Sequence, residues 1–359
     1  MIARLHVLLP HLFVVPIGLE LAPIETELRG YRVRIHLPAQ PEPIGPTLDR
    51  REQSRALKPA EKPVPSTDLQ LDDGNVVIAT LLVIDVLAND FDRRLGQFDP
   101  PIETLNEIVN DVLARFRSTS AAPKMTSVAL NEGIARIRFL NDDGSDLALD
   151  SALQRTLLIA GQKRDLLAIT PGVWATVEGL PASWSPFMWD VTLLDAGAAL
   201  PHVGSAIVLA HTAIEVFAAA AIDRLARDAM VSPLLWEWLN DRGNYLKDPS
   251  AEDQLDVLLN WLTGKSLKDA PDLWRAYGQL RNARNKFAHE GVAKIEGVVV
   301  TLEQARELLD KVFVIFAWVE ELLPEDMRRT RWGGELKWTV KERISAAAPQ
   351  LDDRSRTSS

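Results

Sequence analysis

The sequence of 359 residues contains no cysteine. This absence excludes disulfide bonds, thiol nucleophiles and cysteine-held zinc or iron–sulfur sites, and it is typical of a reducing compartment. The chain also lacks a Walker A motif, a glycine-rich dinucleotide loop and an H-E-x-x-H motif. No run approaches the roughly 18 consecutive apolar residues that a membrane-spanning helix needs. We therefore expect a cytoplasmic protein without membrane contact, and a functional site that uses no cofactor and no metal.

The acidic net charge of the chain limits the ways in which it can bind nucleic acid. Its formal net charge is −10, and 47% of its residues are hydrophobic. Such a chain can form two cores of ordinary size. An acidic chain does not wrap broadly around a polyanion, so any RNA contact should be a local basic site.

Residues 1–180 predict an α+β domain without a catalytic motif. The opening apolar run is interrupted by histidine and proline, which favours a strand over a signal peptide. The segment Asn141–Asp146 lacks the EF-hand spacing and its terminal glutamate, so a hairpin turn is favoured over a calcium loop. Other predictions are a mobile proline-rich loop at 38–66, a helix opened by Pro101, strands at 11–20 and 28–37 that pair with each other, and strands at 75–87, 125–140 and 153–160.

Residues 186–324 predict an all-α up-down bundle. All ten tryptophans lie at or beyond Trp174, and the sequence after this point is dominated by helical periodicity. Thr301 to Gln304 reads as a capping box, and Pro324 ends the helix that it opens. Helices are expected at 202–229, within 251–263, at 271–290 and at 301–323.

One short segment carries recognisable chemistry. Leu280–Gly291 reads LRNARNKFAHEG and contains Arg284, Asn285 and His289. An arginine that binds phosphate and a histidine that moves a proton near neutral pH suffice for RNA cleavage without a metal. A structural interpretation is also open, in which Arg284 pairs with an acid such as Glu215, Asn285 caps the helix and His289 lies against its dipole. His202 and His211 are too separated from any obvious acid or second histidine to form a helical metal pair, and we expect core or surface roles for them.

The position of this motif resembles the HEPN superfamily of four-helix nucleotide-binding and ribonuclease domains. In that family an arginine and a polar residue precede a histidine by four to six positions, which here gives Arg284, Asn285 and His289. The resemblance covers roughly 186–324, and it also gives Glu215 as the acid of an early helix. It implies a metal-independent endoribonuclease that acts as a homodimer, with the two motifs facing each other across a shared cleft.

The implied reaction is attack of an RNA 2′-hydroxyl on its own phosphate. His289 would move a proton, Arg284 would stabilise the phosphorane charge and Asn285 would orient His289 or the phosphate. The products would carry a 2′,3′-cyclic phosphate and a 5′-hydroxyl. Arg284 and His289 are about 140° apart on an ideal helix, so either the helix end bends or two protomers combine their residues.

Further basic residues extend the predicted RNA-binding surface. Arg281 is expected to bind phosphate beside Arg284. The tail 325–359 mixes basic residues with tryptophan and has an end that we expect to be disordered, and its expected RNA contacts are Arg328, Arg329, Arg331 and Trp332. Alternatively, this tail is solvated and its tryptophans pack on the bundle.

Two functions remain open from the sequence. The first is a toxin or antiphage ribonuclease that cleaves tRNA or single-stranded RNA, and whose residues 1–180 sense a phage-derived or host trigger. The second is a non-catalytic adaptor that uses the same bundle to bind RNA or protein.

Overall fold

The computed structural model describes an N-terminal sheet region and a C-terminal helical region, each with its own hydrophobic core. It describes residues 2–39, 66–71, 74–87, 91–92, 97–98, 101–123, 125, 127–128, 135–141, 166–240, 249–331, 333 and 338–343. The order of a sheet region followed by helices confirms the α+β and helical halves of the prediction. Most of the loop at 38–66, the turn at 142–146 and the strand at 153–160 lie outside the described residues.

The sheet is centred on two long antiparallel strands, β1 (Ile2–Pro16) and β5 (Gly74–Leu87). Their residues alternate between the two faces of the sheet, and Leu5, Val7 and Ile84 are fully buried. The remaining strands are β2 (Ile24–Leu28), β3 (Tyr31–Ile35), β4 (Ser66–Leu71), β6 (Phe91–Asp92), β7 (Gln97–Phe98), β8 (Ala135–Leu140) and β9 (Leu166–Ala168).

The predicted pairing of 11–20 with 28–37 is wrong. The end of β1 pairs with β5 and runs parallel to β9, whereas β3 pairs with β2 and β5. The short turn at Arg29 and Gly30, both at positive φ, joins β2 directly to β3. The local hairpin therefore places β2 at one edge of β3. Strand β1 pairs instead with strands that lie far away in the sequence.

Helices α1 (Ile102–Thr119) and α2 (Pro171–Glu178) pack on this sheet. Pro101 precedes α1, as the sequence predicts, and α1 buries Ile108, Val112 and Phe116. Trp174 of α2 lies in the same core, 5.9 Å from the Phe116 ring between centroids.

The helical region has one long central helix, α4 (Val203–Asp228), which contacts α3 (Met188–Ala199), α6 (251–263), α7 (Pro271–Glu290) and α8 (Leu302–Glu320). Helix α6 comprises Ala251–Asp253, the π-helical turn Gln254–Leu258 and Leu259–Thr263. Helix α5 (Pro233–Asn240) and the hairpin of β10 (Lys294–Ile295) and β11 (Val298–Val299) complete the region. The four helices predicted from periodicity are confirmed, whereas α5 was not predicted.

Helix α4 is apolar because it lies inside the helical core. Among the described helices it is the one that is long and apolar enough to span a membrane by length and composition, and 56% of the apolar window is buried inside the protein. Ile207, Ile214 and Phe217 are completely buried along it. Its small alanine side chains allow the neighbouring helices to approach closely.

Local capping sets the ends of the two helices that frame the motif. Pro271 opens α7, and Gly291 ends it in the left-handed conformation at φ 71°, where its backbone N–H bonds to the Phe287 carbonyl. Thr301 and Gln304 form the predicted capping box at the start of α8. The motif therefore lies in the last two turns of a regular helix.

The two regions are joined by a buried polar network. Asp190 of α3 is 1% exposed and accepts hydrogen bonds from Ser118 Oγ of α1 at 2.5 Å and from the guanidinium of Arg331. Arg331 also donates to the Ser118 carbonyl. The arginine that follows α8 therefore contacts both a helix of the bundle and the helix that packs on the sheet.

The end of the described chain returns to the sheet. Strand β12 (Trp338–Arg343) pairs antiparallel with β4 along six residues on each strand. This part of the tail thus has regular structure and forms an edge of the sheet. Residues 351–359, where disorder was expected, lie outside the described residues.

Candidate active site

Arg284, Asn285 and His289 lie at the C-terminal end of α7, where α7 packs against α4. Arg284 is half-buried, whereas Asn285 and His289 are exposed. Arg284 Nη1 donates a hydrogen bond to Asn285 Oδ1 at 3.2 Å. The exposed imidazole of His289 and the neutral partner of Arg284 leave both groups available to a ligand.

Helix α7 continues without interruption past Arg284 and His289. It is α-helical up to Glu290, so the two side chains leave different sides of one helix, as their spacing predicts.

The structural interpretation of Arg284 as half of an ion pair is not what the structure shows. Among the described residues no carboxylate lies within ion-pair distance of Arg284, and its guanidinium donates to the amide oxygen of Asn285. Glu215 instead approaches His211, with its Oε2 atom 3.5 Å from His211 Nδ1. At this distance the contact is longer than an ordinary hydrogen bond.

Arg281 lies one turn before Arg284 and is held by an acid. Its Nη1 atom forms an ion pair with Glu252 Oε2 of α6, and its guanidinium carbon lies 5.9 Å from the centroid of the Tyr277 ring. The side chains of Arg281 and Glu252 are 33% and 41% exposed. An incoming phosphate can therefore reach this pair, but it must compete with Glu252.

His211 lies buried where α4 packs against α7. It is 4% exposed, which confirms the core role that was one of its two expected roles, and its ring stacks on Tyr277 with 6.2 Å between the centroids. Neither ring nitrogen has a hydrogen-bond partner in the described part of the chain. An acid does lie near His211, contrary to the sequence interpretation, because Glu215 is one helical turn away, and this spacing was the signal that could have found the pair.

Burial and charge determine the protonation of this cluster. Burial lowers the pKa of the His211 imidazole, Arg284 and Arg281 act in the same direction, and Glu215 opposes them. Burial also raises the pKa of the Tyr277 hydroxyl to about 12, with a further contribution from Glu215. At neutral pH the contact between α4 and α7 therefore holds a neutral imidazole and a neutral phenol near two guanidinium groups.

The acid next to His289 is engaged elsewhere. Glu290 accepts hydrogen bonds from Lys286 and Lys294, both at 2.8 Å, and these bonds lower its pKa to about 2. His289 is therefore not oriented by its sequence neighbour.

Two of the tail arginines that were predicted to contact RNA bind carboxylates of the protein instead. Arg329 is bound to Glu320, with Nε–Oε1 at 2.5 Å and Nη2–Oε2 at 3.0 Å, and its side chain is 5% exposed. Arg331 is engaged by Asp190 and Ser118, as described above. Arg328 is exposed and donates to the Leu323 carbonyl at 2.9 Å, and Trp332 lies outside the described residues. In this arrangement Arg328 alone of the three arginines faces solvent, and the guanidiniums of Arg329 and Arg331 are occupied by buried carboxylates.

The chemistry that these residues allow is proton transfer and charge stabilisation. His289 can accept or donate a proton at the surface, and Arg284 and Arg281 present cationic donors along α7. Within the part of the chain that the structure describes, no group of three or more histidine, aspartate or glutamate side chains is arranged to hold a metal ion.

A scan against protein-family models, a search of curated proteins and a search of solved structures each found no match to this chain.

Proposed function

We propose that this chain is a metal-independent endoribonuclease that acts as a homodimer and leaves 2′,3′-cyclic phosphate and 5′-hydroxyl ends. The observation that carries the proposal is the placement of Arg284, Asn285 and His289 at the end of one helix inside a helical bundle. This arrangement agrees with the HEPN-like motif of the sequence. The proposed cleavage reaction needs only the side chains of these three residues.

The proposed roles follow from exposure and charge. His289 is exposed, so its imidazole can reach an RNA 2′-hydroxyl or the leaving 5′-oxygen. Arg284 is half-buried and bound only to a neutral amide, so its guanidinium can stabilise the extra charge of the phosphorane. Asn285 orients Arg284 through this hydrogen bond.

The regular course of α7 supports the homodimer. Because one helix keeps Arg284 and His289 on different sides, a complete site combines residues of two protomers. Sedimentation velocity at micromolar concentration should show a dimer. A monomer that still cleaves RNA would contradict the shared site.

The biological setting belongs to the same proposal. We place the protein in the cytoplasm as a toxin or antiphage effector that cleaves tRNA or single-stranded RNA, with the sheet region as the sensor of a phage-derived or host trigger. The buried contacts of Arg331 and Asp190 give a change in the sheet region a direct route to α3 of the bundle.

The decisive experiment compares the protein with its His289→Ala variant. Both are incubated with labelled tRNA and unstructured RNA in EDTA, and the product ends are analysed. Cleavage to cyclic-phosphate ends by the unmutated protein alone is the expected result. RNA that is bound by both proteins but cleaved by neither would favour the adaptor function.

A further inference from the structure

His211 is a buried polar group between α4 and α7 that the proposed reaction does not use. Buried histidines usually have hydrogen-bond partners, because an unpaired polar group loses its hydration without compensation. In the described part of the chain neither nitrogen of His211 has one. The Glu215 carboxylate lies beside the ring, with Oε2 at 3.5 Å from Nδ1.

Glu215 and Arg284 approach His211 from opposite directions. Gly204 lies against Phe287 and His211 against Tyr277, so α4 and α7 run antiparallel. Side chains lean towards the N-terminus of their own helix. On α4, Glu215 therefore leans towards His211, which lies one turn nearer the N-terminus. On α7, Arg284 leans towards Tyr277, the residue that His211 contacts.

Both groups act on the charge of the same imidazole, and a carboxylate and a guanidinium that met there would form an ion pair. In the structure they do not, because Glu215 lies beside the imidazole and Arg284 bonds to the amide of Asn285. An ion pair with Glu215 would neutralise the charge that the proposed reaction needs.

We propose that His211 is a positioning residue that holds the Glu215 carboxylate and keeps it away from Arg284, so that the Arg284 guanidinium remains available to an RNA phosphate. This inference rests on the proposed function. In this role the imidazole presents Nδ1–H to Glu215. The two atoms are 3.5 Å apart, and a closing of about half an ångström would turn this contact into an ordinary hydrogen bond. His211 does not touch the substrate.

The surroundings of His211 favour the neutral donor over an imidazolium. From α7 it faces Tyr277, Arg281 and Arg284, and Glu252 of α6 lies beyond Arg281. A third positive charge between the two guanidiniums would be repelled, and burial opposes it further. The neutral ring can bind the carboxylate without adding positive charge between α4 and α7.

The test uses an apolar substitution and its rescue in the full-length chain. His211→Phe removes the donor, so Glu215 is free to pair with Arg284. Affinity for a 2′-O-methyl RNA that cannot be cleaved should then fall about tenfold, as for the loss of one charge-assisted contact. The double variant His211→Phe, Glu215→Gln has no carboxylate to capture Arg284, so its affinity should return to within about threefold of the unmutated protein.

Two further variants separate positioning from packing. His211→Asn keeps a side-chain N–H and should retain RNA affinity better than His211→Phe at equal thermal stability. Glu215→Gln alone should change affinity by less than about threefold, because the carboxylate is already held away from Arg284. The Glu215→Gln measurement remains decisive if His211→Phe does not fold. A gain in RNA affinity larger than about threefold would show that Glu215 already opposes the phosphate, which contradicts the positioning role.

The outcomes distinguish this inference from the proposed function. A folded double variant that binds RNA as weakly as His211→Phe would overturn the positioning role while the ribonuclease proposal stands. An unmutated protein that neither binds nor cleaves RNA would overturn both.

Discussion

The ring of Phe287 lies where a Cβ atom on Gly204 would stand, with only 2.0 Å between this position and the nearest ring carbon. Glycine at the start of α4 therefore lets the last turns of α7 approach the bundle. Phe287 lies between Asn285 and His289 in the sequence, so the same contact holds the motif against α4.

Replacing Gly204 by alanine should displace Phe287 and destabilise the protein by about 1–3 kcal/mol, the usual cost of an overpacked contact. RNA cleavage should fall as well, because the displaced ring carries the end of α7 with it. Thermal unfolding and a cleavage assay measure the two effects.

Gly278→Ala is the matched control. This glycine lies within α7, and an added Cβ would meet nothing within 4 Å. Alanine should stabilise the helix by about 0.5–1 kcal/mol. Equal effects of the two substitutions would contradict the close contact at Gly204.

Glu252→Gln should strengthen RNA binding. Arg281 is paired with Glu252, and removal of the competing carboxylate leaves its guanidinium to a phosphate. We expect affinity to rise about three- to tenfold, with a steeper dependence on salt concentration because one more phosphate is contacted. Stability should change by less than about 1 kcal/mol, because both partners are partly exposed.

Glu303→Gln makes the same change of net charge on α8. If it strengthens RNA binding as much as Glu252→Gln does, the effect reflects overall charge and Arg281 has no specific part in it.

Arg331→Ala should lower stability strongly and leave the salt dependence of RNA binding unchanged. The substitution leaves Asp190 buried with one partner fewer, which typically costs about 3–5 kcal/mol. Denaturant unfolding should be followed by tryptophan fluorescence, which reports mainly on the helical region, and by circular dichroism. We expect the two transitions to separate, since the regions lose a shared contact.

The exposed Arg306 of α8 provides the control for this substitution, and Arg306→Ala should change stability by about 0.5 kcal/mol or less. If Arg331→Ala instead weakens the salt dependence of RNA binding, the predicted contact between Arg331 and an RNA phosphate is supported.

Asp85 should make the sheet region sensitive to acid. Its side chain is fully buried and accepts hydrogen bonds from Arg4 at 2.6 Å and 2.8 Å and from His36 at 2.9 Å. Burial raises the pKa of Asp85, but these two partners outweigh it and hold the pKa well below its ordinary value. The resulting stabilisation is present above pH of about 4, the ordinary pKa of aspartate, and is lost as pH falls towards the folded-state pKa.

Asp85→Asn should therefore destabilise the protein by about 3–5 kcal/mol at neutral pH and by progressively less in acid. Free energies of unfolding measured between pH 7 and pH 3 check this convergence. A constant difference across this range would show that the Asp85 charge is not the cause.

The sequence predicted the helices well because helical periodicity and caps are local. Pro101, Pro271 and the Thr301 capping box set helix starts through residues within four positions of each other, and the structure has helices at all three. Pairing in the sheet depends on residues far apart, such as Phe13 and Ala79, and periodicity does not encode the partner.

The site was predicted in part for the same reason. Arg284, Asn285 and His289 lie within six residues and form a readable motif. Glu252 and Arg281 come from different helices, and Arg331 meets Asp190 across 141 positions, so neither contact has a local signature. The tail arginines were predicted to bind RNA because their composition suits it, but composition does not reveal which carboxylates they meet.

The pairing of β12 with β4 sets an order of events during translation. Strand β4 meets β5 at two positions of the register, whereas β12 pairs with all six of its residues. Because β12 follows the helices α1 to α8 in the chain, the ribosome has already synthesised those helices before β4 gains this partner. The nascent sheet therefore keeps an open edge until the end of the described chain emerges, and the bundle can fold while the sheet region is still incomplete.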